Sequence, residues 1–107
     1  MKRGEVWSVN FDPSIVGEIR KKRPAVIICN DAANKFLNRV QVVPLTSKTD
    51  RIYPGEALVA FEGKESKALA HQMATVSKMR LFRRAGILSQ EDMGRIEEAI
   101  KIQLDIH

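Results

Sequence analysis

Along the first three quarters of the chain, apolar positions come in short runs broken by polar loops; only the last quarter carries a helical repeat. Val6, Ser8 and Asn10 alternate with Trp7, Val9 and Phe11, the period-two signature of a half-buried strand. Asp12-Pro13-Ser14 supplies turn chemistry to close it. Residues 14–23 read as an exposed basic loop holding Gly17, Arg20, Lys21, Lys22 and Arg23. Pro24 bars a helix there and pushes Arg23 toward extended backbone. Residues 25–29 form an unbroken apolar run rich in β-branched side chains, which suits a central strand.

Asn30-Asp31 and Asn34 mark a further loop. Val40, Val42 and Val43 begin another strand that runs through Pro44-Leu45 to Thr46, and the polar segment Ser47-Lys48-Thr49-Asp50-Arg51 follows. Residues 56–61 read as a strand, Gly63 turns the chain, residues 66–76 resemble one or two strands, and residues 77–82 start a short helical turn. Ser89 with Asp92 forms a capping-box-like helix start, Asp standing in for Glu. Met93, Ile96, Ile100 and Leu104 then recur at helical spacing as a core stripe. Five or more short strands and one terminal helix predict a mainly β fold, a small antiparallel barrel closed by a C-terminal helix. Closure would remove exposed sheet edges. No βαβ alternation argues for a nucleotide-binding parallel sheet.

Composition narrows the function more than the fold. A chain of 107 residues fits one domain, residues 1–107, with a modest core. Lys and Arg number 18 against 13 Asp and Glu, a net charge of +5 that favours polyanions or simply keeps the chain dispersed. The single Cys29 cannot make an intrachain disulfide and reads as a small buried core residue. No apolar run is long enough to span a bilayer, and the N-terminus lacks the apolar stretch of a signal peptide, so the expected address is the cytoplasm.

Several chemistries are absent. Two histidines, His71 and His107, and one cysteine cannot assemble a zinc site at standard spacings. There is no phosphate-binding Gly-rich loop and no Gly-x-Ser-x-Gly elbow. No metal or cofactor is expected, and catalysis has to rest on positioning and charge stabilisation. Three polar clusters fall at ends of predicted strands: Gly17-Glu18 with Arg20 to Pro24, Thr46-Ser47-Lys48, and His71-Gln72 with Thr75. Taken singly, each has a plain reading as a solvated loop, a turn former or a solvent-facing strand.

Together and in this order the clusters resemble the MazF/PemK family of toxin endoribonucleases. Arg3-Gly4-Glu5-Val6-Trp7, Phe11-Asp12-Pro13, Gly17-Glu18 and Arg23-Pro24-Ala25-Val26-Ile27-Ile28 carry the first half of the likeness. Asn30-Asp31, Val42-Val43-Pro44-Leu45-Thr46-Ser47, Gln72, Thr75-Val76 and Arg80-Leu81 carry the second. The resemblance implies an SH3-like β-barrel of the CcdB/MazF type, a homodimer, and metal-free, sequence-specific cleavage of single-stranded RNA, mRNA being the expected target. It also implies a cognate antitoxin whose disordered, often acidic tail covers the RNA groove. Arg23 matches the family's catalytic arginine, Thr46 its catalytic threonine, and Glu18 an acidic residue of the first loop. Two positions depart from the pattern: His71 stands where many members carry an acidic residue, and Ala74 where many carry arginine.

On this reading the ribose 2′-OH attacks the phosphate, leaving a 2′,3′-cyclic phosphate and a 5′-OH. Arg23 would hold the phosphate with its planar fork. Thr46 would donate to the same group, with Ser47 assisting. Glu18 and His71 compete for the base, His71 because histidine changes charge near working pH; its plain alternative is a strand residue with no proton to move. Arg20, Lys21, Lys22, Lys48 and Arg51 would touch flanking phosphates, and Gln72 would contact the RNA. Two rivals remain: a non-catalytic nucleic-acid-binding barrel, and a CcdB-like toxin that inhibits a DNA topoisomerase through its C-terminus. Either would leave Arg23 and Thr46 idle.

Overall fold

A computed structural model of the chain describes residues 1–11 and 22–107. Seven antiparallel strands form its sheet: β1 (Glu5–Asn10), β2 (Lys22–Ile27), β3 (Arg39–Thr46), β4 (Glu56–Phe61), β5 (Lys64–Leu69), β6 (Ala74–Ser77) and β7 (Leu81–Ile87). Helix α1 (Asp31–Phe36) joins β2 to β3, and α2 (Gln90–Leu104) follows β7. The mainly antiparallel architecture with a C-terminal helix is the one expected.

The hydrogen-bonded path runs β4-β5-β3-β2-β1-β7 and does not close. β3 joins two half-sheets: residues 39–42 pair with β6, and Leu45 and Thr46 pair with β5. Pro44 lies between these partners, and its missing N–H suits the change of ladder. The edge problem that closure would have solved is met by side chains. Asp92 of α2 accepts the backbone N–H of Ala60 on edge strand β4 at 2.9 Å. Phe61, at the end of β4, reaches β7: a Cβ on Gly86 would lie 3.3 Å from the Phe61 ring.

The apolar run in β2 is buried on both faces, as a central strand requires. Val26 packs with Val6, Val43, Leu45, Ala57 and Val59 against Met93, Ile96 and Ala99 of α2. Ala25 and Ile27 face the other way, with Val9, Val40, Val42, Val76 and Leu81. The helical stripe holds at Met93 and Ile96 but runs off the core, leaving Leu104 52% exposed.

Several local expectations are corrected. Lys22 and Arg23 belong to β2 and not to the preceding loop. Asn30 and Asn34 are helix chemistry: Asn30 caps α1 by accepting from the Ala33 N–H at 2.8 Å, and buried Asn34 donates to the Cys29 carbonyl at 3.0 Å. Cys29 is half-buried, and its Sγ accepts from the Gln41 N–H at 3.2 Å. Residues 66–76 are interrupted by a 3₁₀ turn, Ala70–Gln72. β7 was not expected as a strand, because register shifts against β1 break its alternation. The capping box is half-formed: Ser89 Oγ accepts from the Asp92 N–H at 3.0 Å, while the Asp92 carboxylate goes to Ala60 and to Arg95.

Candidate active site

The site is assembled by strand register. Ala25 pairs with Pro44 and Val26 with Val43. The β2–β3 ladder ends at the Ala25–Pro44 pair; Arg23 lies two residues before it on β2 and Thr46 two residues after it on β3. Thr46 is in turn the registered partner of Lys67 on β5. Directly opposed residues present their side chains on one face. Thr46 and Lys67 therefore form a row across β3 and β5, with Arg23 near the start of the neighbouring strand β2. The shared ladder brings the strand ends that carry Arg23 and Thr46 to the same end of the sheet.

Arg23 is exposed and makes no ion pair among the described residues. Its full set of donors faces outward. Thr46 is half-buried, and its Oγ1 accepts from the Lys48 N–H at 3.3 Å, a local turn that orients the hydroxyl while its proton stays available to donate. Ser47 is exposed beside it. Thr46 and Ser47 border a depression of about 340 Å³ with Pro24, Phe61 and Lys64 on its other sides.

Beyond Thr46 the row continues into a bonded network that local sequence pattern did not single out. Lys67 Nζ lies 3.1 Å from Glu56 and donates to the Arg51 carbonyl at 2.9 Å. Glu56 also accepts from the Tyr53 N–H at 2.9 Å and meets His71 Nε2 at 2.8 Å. Its side chain is only 6% exposed. Burial pushes the Glu56 carboxyl up, but the Tyr53 amide, His71 and Lys67 outweigh it and bring it down to about 2. Glu56 is thus an anionic anchor and no proton donor at neutral pH.

The remaining candidates fall into three groups. His71 and Gln72 sit exposed on the 3₁₀ turn, His71 tied to the row through Glu56 and Lys67. Lys48 and Arg51 are exposed in the loop between β3 and β4, where Arg51 donates to the Tyr53 hydroxyl at 3.2 Å. Lys22, in β2, lies 4.6 Å over the Phe82 ring. Glu18, Arg20 and Lys21 lie outside the described residues. Lys67, Glu56, Lys64 and Arg83 were missed; each is an ordinary strand-face residue until the sheet assembles. Among the described residues no three His, Cys, Asp or Glu side chains gather to hold a metal, and no helix is long and apolar enough to cross a membrane.

An exposed guanidinium on β2 and a hydroxyl at the end of the neighbouring β3 suit the binding of a phosphate group. Comparison with known proteins points the same way. The family described as PemK-like, MazF-like toxin of type II toxin–antitoxin system matches residues 2–104. The chain is 35% identical to Endoribonuclease MazF9 of Mycobacterium tuberculosis, covering 99% of this chain and 98% of that protein. It is 31% identical to Endoribonuclease MazF of Staphylococcus saprophyticus, over 100% and 93% of the two chains. In fold it is similar to a mycobacterial endoribonuclease solved in complex with its cognate antitoxin, with a TM-score of 0.83 at 22% identity, over 100% of this chain and 97% of that one.

Proposed function

Because the chain belongs to the PemK-like, MazF-like toxin family of type II toxin–antitoxin systems, we propose that it is the toxin of such a system, an endoribonuclease that cuts single-stranded RNA at short sequences without a metal. The observation that supports this reading beyond family membership is that Arg23 on β2 and Thr46 on β3 border two adjoining depressions that share Pro24, Phe61 and Glu62.

RNA brings its own nucleophile. The 2′-oxygen loses its proton and bonds to phosphorus, the bond from phosphorus to the 5′-oxygen breaks, and that oxygen takes up a proton. The products are a 2′,3′-cyclic phosphate and a 5′-OH end. Arg23 holds two phosphate oxygens while charge builds on them, and an arginine keeps its own proton throughout. Thr46 donates to the same phosphate, and Ser47 stands ready beside it. Glu18 and His71 are the two candidates for the base. For His71, the bond to Glu56 occupies Nε2 and leaves Nδ1 to face a ribose hydroxyl. A pH–rate profile of His71→Ala tests the second candidate: an unchanged profile removes His71 from the mechanism.

The reading includes a homodimer, a cytoplasmic address beside the mRNA, and an antitoxin whose acidic tail covers the basic groove. The central experiment incubates the protein with mixed-sequence RNA, with and without EDTA, beside an Arg23→Ala control. Cleavage that survives chelation, disappears in the variant and leaves 2′,3′-cyclic phosphate ends is the expected result. Cleavage that requires magnesium, or that persists in the variant, overturns the mechanism. Light scattering of the free toxin tests the dimer.

A further inference from the structure

The depression beside Thr46 does not end there. It shares Pro24, Phe61 and Glu62 with a second one of about 170 Å³ that opens over β1 toward β7. Its walls are the turn between β4 and β5 on one side and β7 on the other. Ser8 lies on its floor, registered with Pro24 on one side and Arg83 on the other. Lys22, Arg23 and Arg83 line the same hollow. None of these three cations makes an ion pair among the described residues, whereas the neighbouring Arg84 lies 3.3 Å from Glu5. Lys22 is steered toward β7 by its contact with the Phe82 ring. Phe61, half-buried and braced against Gly86, contributes an aromatic ring to the same hollow.

From this arrangement, and resting on the endoribonuclease reading above, we infer that the hollow between Phe61 and Arg83 is a nucleotide subsite for the RNA strand next to the cleaved phosphate. Lys22 and Arg83 hold the neighbouring phosphate and the Phe61 ring stacks its base. Each part answers a requirement of single-strand binding. Unpaired cations in a concavity attract a phosphate and set a salt dependence. An aromatic face accepts any base by stacking. Glu62 adds an acceptor, which favours a base with an exocyclic amino group at this position. An acidic peptide would satisfy the cations too, but it would leave Glu62 facing a like charge. Continuity with the Thr46 depression sets the path of the strand, from Thr46 past Pro24 and Phe61 and across β1 toward β7.

The test uses full-length protein and an RNA oligonucleotide containing one cleaved site. Arg83→Ala should raise KM about tenfold and lower the slope of log affinity against log salt by about one. Lys101→Ala, an equal charge change on α2, serves as the control and should leave that slope alone. Phe61→Leu keeps an apolar side chain and loses the ring; it should weaken RNA binding between about fivefold and a hundredfold while the thermal midpoint stays near that of the parent. Trimming the RNA on one side of the cleaved bond should make Arg83→Ala and the parent converge, and trimming the other side should not. An Arg83→Ala protein with parental KM and salt slope on a substrate the parent cleaves overturns the subsite, as does convergence on neither trimmed RNA. So does a variant that loses affinity only for an acidic peptide. A parent that cleaves no RNA instead overturns the endoribonuclease reading itself.

Discussion

Glu56 Oε2 lies 2.8 Å from His71 Nε2, and the other oxygen of the same carboxylate lies 3.1 Å from Lys67 Nζ. One buried anion thus sets the positions of two cationic or ionisable side chains that belong to different elements. Lys67 is the registered neighbour of Thr46, so the anchor connects the 3₁₀ turn bearing His71 to the strand bearing the proposed catalytic hydroxyl.

That anchor makes stability depend on acid. The Glu56 carboxyl, at 4.5 in its ordinary state, falls to about 2 in the fold. A group lowered on folding stabilises the native state above its unfolded value and loses that contribution as pH falls toward the folded one. Urea midpoints should therefore drop between about pH 4.5 and 2 in the parent. Glu56→Gln should be less stable than the parent at pH 7, with the gap narrowing through that window. A gap independent of pH would show that the carboxylate's charge is not what the network uses.

Arg23 and Thr46 should behave as one unit in catalysis. Thr46→Ala is expected to cost on the order of a hundredfold in kcat, as for loss of one transition-state donor. Arg23→Lys keeps the charge and loses the fork, so it should remain far below the parent. Residues that act together are non-additive, so the double variant Arg23→Ala/Thr46→Ala should lose clearly less than the product of the single losses. Single-turnover kinetics on one RNA would measure this. Strict additivity would separate the two side chains into independent roles.

Asp92, buried in the first turn of α2, should matter to stability through its bond to the β4 edge. Ser89→Ala removes the α2 cap and should cost about 1 kcal/mol. Asp92→Ala leaves that cap's backbone donor intact but removes the acceptor of the Ala60 N–H on the β4 edge, at about 0.5–1.5 kcal/mol. Asp92→Asn keeps an acceptor and should recover most of the loss. Chemical denaturation of the three variants gives the ranking; equal costs for Ala and Asn would remove the edge-capping role.

Gly86 is constrained by space and not by backbone angle. A methyl there would press on the Phe61 ring at 3.3 Å, and a branched side chain would displace it. Gly86→Val should destabilise the fold by about 1–3 kcal/mol, as overpacking does. It should also weaken RNA binding through the displaced ring. A stable Gly86→Val protein with unchanged near-ultraviolet dichroism would show that the contact is loose.

Elements with a strong local signal were legible from residues alone. The alternation of β1, the apolar run of β2, the strand through Val42-Val43-Pro44-Leu45-Thr46 and the Ser89-capped helix each declared themselves. Elements without one were not. β7 carries exposed Phe82, Arg83 and Arg84 in sequence and pairs with β1 through register shifts, so it has no period to read. In α1, the cap Asn30 and the buried Asn34 use residue types that are just as common in loops. His71 looked like part of a strand because a single turn of 3₁₀ helix is too short to leave a pattern.

The candidate chemistry divides in the same way. Arg23 and Thr46 stood out because they sit in Arg-Pro and Pro-Leu-Thr-Ser segments with a family likeness, which depends only on order along the chain. Lys67, Glu56 and Arg83 did not, because nothing in their neighbours distinguishes them from solvated strand residues. The amino-acid order by itself determined the class of fold, the family and two of the groups offered to a phosphate, since covalent neighbours set local backbone preference. Only tertiary structure decided that these groups come from neighbouring strands, that Thr46 stands beside Lys67 and its anchor Glu56, and that Asp92 and Phe61 cover part of the sheet's edges. Those facts depend on strand register and on which edges meet, and both arise from contacts between residues far apart in the chain.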